Sequence, residues 1–309
     1  LVKRYPRESF QLATKLPAWD KNKTAKEVKQ YFYISLERTQ AGYFDYYLLH
    51  NLGGERSEIF ENLGLWDFVK ELKSKGLIRH FGFSFHDNAA ALDELLTKHP
   101  EAEFVQLQIN YADWEHPDIE SRKCYETARK HGKPIIIMEP VKGGTLATLP
   151  DEAVKVLKEL DSSASVASWA LRFAASLEGV ITVLSGMSNQ EQMEDNISFM
   201  ENLKKLSSTE LEGIDKVRKI LESIPQIACT NCKYCVKDCP ANIPINRILS
   251  ILNGYDKYNN FSGAKSRYLN AVKDKGCASQ CIDCKNCESV CPQYIEITKH
   301  LKRAKELFV

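Results

Sequence analysis

The chain has 309 residues, and its 42 Lys and Arg against 41 Asp and Glu leave a formal net charge of +1. That balance gives no basic surface for nucleic acid or an anionic membrane, and no apolar run reaches the roughly 18 residues of a membrane helix. The length exceeds the usual single domain, so two domains are expected, with neither a nucleic-acid nor a membrane partner.

Up to about residue 200, short apolar runs alternate with longer amphipathic stretches. The runs, residues 10–14, 44–49, 80–83, 104–109, 134–138 and 180–184, are almost wholly apolar, as strands covered on both faces should be. Between them the periodicity predicts helices. Residues 24–39 open with Thr24 followed three residues later by Glu27, the spacing of a capping box. Residues 65–75 carry Leu65, Phe68, Val69 and Leu72 on one face and stop at Gly76. Residues 88–98, 117–131, 152–160, 165–176 and 189–200 complete the series. Strands alternating with helices predict an α/β protein with a parallel sheet. Six such units also admit a doubly wound sheet, although no GxGxxG follows the first strand.

The pattern changes after Leu203. A helix capped at Ser207 or Ser208 runs to Leu221, and Pro225 breaks the chain before Cys229. Eight of the ten cysteines then fall into two copies of one spacing, Cys229, Cys232, Cys235, Cys239 and Cys281, Cys284, Cys287, Cys291, each closed by a proline, Pro240 or Pro292. CxxCxxCxxxCP used twice is the bacterial signature of two [4Fe-4S] clusters, in which the cysteine before proline ligates the other cluster's iron. Cys229, Cys232, Cys235 and Cys291 are thus expected at one cluster, and Cys281, Cys284, Cys287 and Cys239 at the other. Zinc needs four ligands and no third CxxC step, and thiols this crowded do not make a secreted disulfide framework. Cys124 and Cys277 fall outside the pattern and read as free thiols, Cys277 also as a candidate spare ligand four residues before Cys281. Helical patterns at 244–253 and 263–274 join the two motifs, and 297–308 reads as a terminal helix. Cluster cysteines need a reducing compartment, residues 1–12 lack a signal-peptide layout, and the cytoplasm is the expected location.

Polar residues gather where the strands finish, the ligand-binding end of parallel α/β folds. They lie in Ala13-Thr14-Lys15, Asp45-Tyr46-Tyr47-Leu48-Leu49-His50, Gly76-Leu77-Ile78-Arg79 leading to Gly82-Phe83-Ser84, and Gln106 to Tyr111. Two more stretches follow, Met138-Glu139-Pro140-Val141-Lys142-Gly143-Gly144 and Ser185-Gly186-Met187 with Gln192 and Asn196. In order and spacing these resemble the aldo-keto reductase family, specifically its members fused to a dicluster ferredoxin-like tail, over essentially the whole sequence.

The resemblance implies a (β/α)8 TIM barrel, residues 1–205, followed by an α-helical 2[4Fe-4S] ferredoxin-like domain, residues 206–309. In that family a hydride passes between a nicotinamide cofactor, usually NADPH, and a carbonyl carbon. A tyrosine supplies the proton, its pKa lowered by a lysine that an aspartate holds, while a histidine orients the carbonyl. By resemblance Lys15 is that lysine and His50 that histidine. Ser84 and Gln106 match the residues that hold the nicotinamide carboxamide, and Ser185, Gly186, Met187, Gln192 and Asn196 match the phosphate-binding loop and helix after the last strand. His86 and His116 read as loop histidines, and Gly143-Gly144 as a turn.

There are departures. Met138 stands where many members stack an aromatic ring on the nicotinamide. The family's aspartate and tyrosine follow its first and second strands, whereas this chain begins just before what resembles the third. No residue here takes either role, and the first two βα units, about 60 residues, are expected to belong to a longer natural protein. The chain as it stands is therefore expected to reduce carbonyls negligibly.

The function so implied is an iron–sulfur oxidoreductase of aldo-keto reductase type. It would reduce a small carbonyl substrate, or oxidise an alcohol, with NADP(H), and exchange electrons with a redox protein partner through two [4Fe-4S] clusters. Hydride moves two electrons together and a cluster passes one, and nothing in the sequence reads as a flavin site to split the pair. The alternative is an electron-transfer or redox-sensing protein whose barrel is a ligand-binding or docking scaffold.

Overall fold

The structure, a computed structural model, describes residues 2–18, 23–117, 119–237 and 239–309. Six strands alternate with helices in the order β1 (Ala13–Leu16), α1 (Ala25–Thr39), β2 (Phe44–Leu52), α2 (Glu55–Asn62), α3 (Leu65–Ser74), β3 (Ile78–Phe85), α4 (Ala89–Lys98) and β4 (Val105–Gln108). There follow α5 (Ser121–Lys130), β5 (Ile135–Met138), α6 (Asp151–Leu160), α7 (Val166–Ser176), β6 (Val180–Val183) and α8 (Gln190–Met200). The remainder is helical: α9 (Ser208–Ser223), α10 (Tyr234–Lys237), α11 (Ile245–Tyr258), α12 (Phe261–Val272), α13 (Asn286–Ser289) and α14 (Ile297–Phe308). Two compact units result, residues 1–140, 171–190 and 200–205 in the first, residues 141–170, 191–199 and 206–309 in the second.

In the first unit all strand pairs are parallel, and their order is β1-β2-β3-β4-β5-β6. A doubly wound sheet reverses its strand order at a switch point. This one never reverses, which is the arrangement of a (β/α) barrel wall. The register shows why the strands are so apolar. Leu16, Leu49, Phe83, Val105 and Ile135 form one row across five strands, and every one of them is fully buried. On the other face run the rows Lys15-Leu48-Gly82 and Ser84-Gln106-Ile136-Thr182. There Leu48, Phe104 and Ile136 make a small core with Tyr46 against it. Gly82 belongs to that packing, because a Cβ on it would stand 2.2 Å from the Phe104 carbonyl oxygen.

The amino-terminal end of the sheet is fastened by charge. Asp45, 3% exposed, accepts the Leu12 N–H at 2.9 Å and Arg7 Nη2 at 2.6 Å, with Arg79 Nη1 at 3.2 Å. Burial alone would push this carboxyl up. The Leu12 N–H and the two guanidiniums outweigh it and hold Asp45 below the usual carboxylate range.

Helix limits follow their local signals. Thr24 and Glu27 close a reciprocal capping box on α1, Ser207 and Glu210 do the same for α9, and Gly76 turns left-handed after α3 at φ 72°. β1 starts three residues later than expected, because Phe10 ends a short turn over residues 7–9. α2 is an addition to the expected elements, and α5 begins only at Ser121. Among the described residues no helix is long and apolar enough to cross a membrane.

In the second unit, α11, α12 and α14 bury Ile245, Ile248, Leu249, Leu252, Tyr268, Leu301 and Phe308 together, and Cys235 and Cys287 belong to the same core. Tyr268 Oη accepts the Ala278 N–H at 2.8 Å. Gly276 lets the chain ahead of the second cysteine motif lie against the turn after the first, since a Cβ there would meet the Ala241 carbonyl oxygen at 1.9 Å.

Candidate functional site

Lys15, His50, Ser84 and Gln106 occupy one face of the sheet. Lys15 is level with Leu48, His50 lies two residues beyond Leu48, and Ser84 pairs with Gln106. Lys15, His50 and Ser84 sit toward the carboxyl ends of their strands, and Gln106 is the second residue of β4. Period-two alternation therefore sends all four side chains the same way.

Lys15 and His50 are partly buried, and their electrostatics follow from that. Burial lowers the Lys15 pKa, and no carboxylate makes an ion pair with it among the described residues. Burial, then the charges of Lys15 and His86, pull the His50 imidazole down to about 4. At neutral pH His50 is uncharged and keeps one ring N–H to donate. Ser84 is fully buried, and its Oγ accepts the Asn51 N–H at 2.8 Å, which latches the turn after His50 onto β3. Gln106 is 2% exposed, and its amide donates to the Met138 sulfur at 3.0 Å, a weak acceptor that leaves the amide unspent for a better one.

His86, which reads from the sequence as a loop histidine, belongs to this corner. It stands two residues beyond Ser84, and burial, Arg56 and Lys15 lower its pKa in turn. It lies in the loop just past the end of β3, as the sequence predicts. Arg56 supports the same corner, with Nε to the Asn51 carbonyl at 2.8 Å and Nη2 to the His86 carbonyl at 3.1 Å. Ser185, Gly186 and Met187 form a loop directly after β6, with Met187 exposed. Gln192 and Asn196 stand one turn apart on α8 and so share a face of that helix. Cys124 is buried, its thiol pushed up to about 12 chiefly by burial, so it is an inert core thiol.

The cysteine motifs fold as two copies of one loop. In each, the first and fourth cysteines are half-buried, the second exposed and the third buried. The third, Cys235 or Cys287, sits on a one-turn helix, α10 or α13. Residues on either side of the second cysteine turn left-handed in both copies: Asn231 and Lys233 at φ 59° and 67°, Asp283 and Lys285 at φ 55° and 60°. These turns bend each loop around a cavity.

One small cavity is lined by Cys229, Cys232, Cys235 and Cys291, and a second by Cys281, Cys284, Cys287 and Cys239. The fourth cysteine of each motif has crossed to the other motif's cavity. Burial, then Cys229, Cys232 and Cys291, push the Cys235 thiol up to about 11, and burial, Glu288 and Cys281 push Cys287 up to about 12. Binding iron there would release protons, because only thiolates ligate. A single zinc ion draws four donors to about 2.0–2.3 Å of one point. Four thiols spaced around each cavity suit a cluster. Cys277 lines neither cavity; its Sγ lies 3.0 Å from Ser279 Oγ at the start of a short turn.

Comparison with known proteins bears on both units. A 4Fe-4S dicluster domain model matches residues 228–296. A component of an ion-translocating oxidoreductase complex from Buchnera aphidicola is 34% identical over 86 residues, which cover 28% of this chain and only 15% of that protein. The fold resembles the holo form of an aldo-keto reductase from Bacillus halodurans, with TM-score 0.54 and 23% identity over 69% of this chain and 74% of that one. It also resembles an aldo/keto reductase from Klebsiella pneumoniae solved with NADP and acetate, with TM-score 0.53 and 20% identity over 69% and 71% of the two chains. At such identities the likeness speaks for the fold alone. The aldo/keto reductase family model itself matches residues 1–219, well over half of the 309 residues. A parallel sheet in unbroken order, the polar residues on one of its faces and this match agree: the chain belongs to the aldo/keto reductase family and carries a 4Fe-4S dicluster domain behind its reductase domain.

Proposed function

We propose that the protein is an NADP(H)-linked carbonyl reductase or alcohol oxidoreductase whose two [4Fe-4S] clusters connect it to a redox protein partner. The observation that carries this reading is the pairing, on one sheet face, of Lys15 with a His50 held neutral by burial and by that lysine's charge. A neutral imidazole beside a cation can donate its N–H to a carbonyl oxygen without giving up a proton at working pH. Lys15 adds positive charge where negative charge would develop on that oxygen.

The residues present fit the groups the reading requires. Gln106 holds a buried amide spent only on a thioether, the kind of donor a nicotinamide carboxamide would take. Ser185, Gly186 and Met187 are an open loop at the carboxyl end of the sheet, where a cofactor phosphate would lie, and a Cβ on Gly186 would meet nothing within 4 Å. Cys229, Cys232, Cys235 and Cys291 would hold one cluster, Cys281, Cys284, Cys287 and Cys239 the other. When bound, the nicotinamide supplies a two-electron hydride and the clusters single electrons. This chain's part is to orient the carbonyl through His50, to set Lys15 beside it and to shield the cluster sulfurs in the core around Cys235 and Cys287.

Anaerobic purification followed by titration with NADPH tests the reading. About eight irons and eight sulfides per chain are expected, with saturable NADPH binding that His50→Ala and Gln106→Ala weaken, and with bleaching of the cluster absorbance as NADPH is added. NADPH that binds without bleaching would remove the link between nicotinamide and clusters, and leave an electron-transfer unit beside a ligand-binding scaffold.

A further inference from the structure

We propose that the second unit carries a binding groove for a phosphorylated ligand of about nucleotide size, beside the cavity of the first cysteine quartet. The groove, about 650 Å³, falls within the 300–1,000 Å³ of most small-molecule sites. Its walls are the polar faces of α11 and α12, whose opposite faces bury Ile248, Leu249 and Leu252, and Ala264 and Tyr268, in the core.

Charge selects the ligand. Arg247 on α11, Arg267 on α12 and Lys233 on the cysteine loop all line the groove, and no carboxylate does. None of the three makes an ion pair among the described residues, although Arg303 pairs with Asp256 and Lys299 with Glu296 in the same unit. Three cations facing one cleft repel each other until an anion enters. Two guanidiniums favour phosphate oxygens, which they can take two at a time, and Ser250 and Asn270 add neutral hydrogen-bonding groups along the walls.

The groove is shaped at both ends. Asn253 holds Ile227 by its N–H and its carbonyl together, at 2.7 and 2.9 Å, which sets the loop that enters the first motif. Asn246 donates to Asn231 Oδ1 at 2.6 Å and ties that loop to α11. Cys229, Lys233 and Asn246 line the groove and the first cluster cavity alike. A phosphate bound there would place negative charge beside the cluster, within reach of Lys233.

Calorimetric titration of the iron-loaded protein, without oxygen, using pyrophosphate and separately flavin mononucleotide, tests this. One saturable site is expected, with the dissociation constant raised roughly tenfold by each of Arg247→Ala and Arg267→Ala, at unchanged iron content and helical circular dichroism. The double substitution Arg247→Lys with Arg267→Lys keeps the charge and should bind pyrophosphate better than the double alanine variant. Pyrophosphate binding without flavin binding supports the groove and confines it to ligands read by their phosphates. No saturable site for either probe, or an isotherm unmoved in the double alanine variant, overturns the proposal. The readout uses neither nicotinamide nor turnover, so its failure leaves the roles of Lys15 and His50 untouched.

Discussion

In the sheet unit, the polar groups of the proposed site are positioned by the protein itself. Ser84 takes the Asn51 N–H, Gln106 reaches Met138, and the sheet register sets Lys15 level with Leu48, two residues before His50. In the cluster unit the proposed ligands are part of the core, Cys235 and Cys287 fully and Cys229, Cys239, Cys281 and Cys291 at its edge, and with Cys232 and Cys284 they line the two small cavities. One site is pre-built on a scaffold that stands without a ligand. The other needs its ligand to complete the packing, and loading and unloading should therefore affect the two units very differently.

The largest effect expected is that of removing iron. In small metal domains the metal's binding free energy is folding free energy, on the order of 10 kcal/mol for structural zinc. Chelation under reducing conditions should abolish much of the helical signal of α10 to α14 and expose their amides to hydrogen exchange, while the amides of β2 to β4 stay protected. Loss of protection in both units together would break the comparison.

The sheet unit has its own weak point in charge rather than in metal. Asp45→Ala leaves Arg7 and Arg79 facing an empty acceptor and should cost about 3 kcal/mol, read as a fall in the denaturation midpoint of the sheet. Because the folded Asp45 pKa lies below its ordinary value, its contribution is present above the unfolded carboxylate pKa of about 3.9 and is lost as pH falls through the folded value. Asp45→Ala should flatten the acid limb of the stability profile, with iron content unchanged.

A matched pair of substitutions sharpens the contrast. Gly82→Ala and Gly276→Ala each drive a methyl into a backbone carbonyl, of Phe104 and Ala241 respectively, and each should cost about 1–3 kcal/mol. Gly82→Ala should lower thermal stability and leave the iron content intact. Gly276→Ala should reduce iron occupancy as well, because the Ala241 turn follows Cys239 directly and Gly276 precedes the second motif. Equal iron loss in both variants would mean that the units are not separately assembled.

The same contrast governs what the sequence could reveal. The cysteine quartets are readable because the proposed ligands are close in the chain and a fixed spacing suits the wrapping of a cluster. The exchange of Cys239 and Cys291 between cavities follows from the Cys-Pro rule, and the structure shows that crossing. The parallel sheet is readable from runs buried on both faces. Its edges are less so, since Phe10 to Thr14 is as apolar as a strand while the true β1 is Ala13–Leu16, which puts Lys15 within the strand. α2 escapes a pattern search because Glu55–Asn62 is polar apart from Ile59 and Phe60, and it opens at Gly54 without a side-chain cap. Lys15 and His50 emerge only through likeness to a family, for no local rule marks a lysine and a histidine that become neighbours by strand register. The groove between α11 and α12 is invisible for the same reason: Arg247 and Arg267 meet only through the packing of two helices.

The smallest effect expected, and the most specific to the proposed site, concerns His50. Its pKa of about 4 is set first by burial and then by Lys15 and His86. Lys15→Met should therefore raise the His50 midpoint, read from the imidazole proton shifts in an NMR titration, yet leave it below the ordinary value of about 6.5, because burial remains. His86→Gln should move it the same way by less. The sign for stability is opposite to that of a salt-bridged histidine. Above the unfolded value His50 is neutral in both states and carries no penalty. As pH falls from about 6.5 towards 4, the unfolded chain binds a proton that the fold resists, and stability declines. In Lys15→Met that decline should be shallower. A His50 midpoint unmoved by loss of Lys15 would mean that the two side chains do not share one electrostatic site, and the strand register would then have brought together residues that merely face the same way.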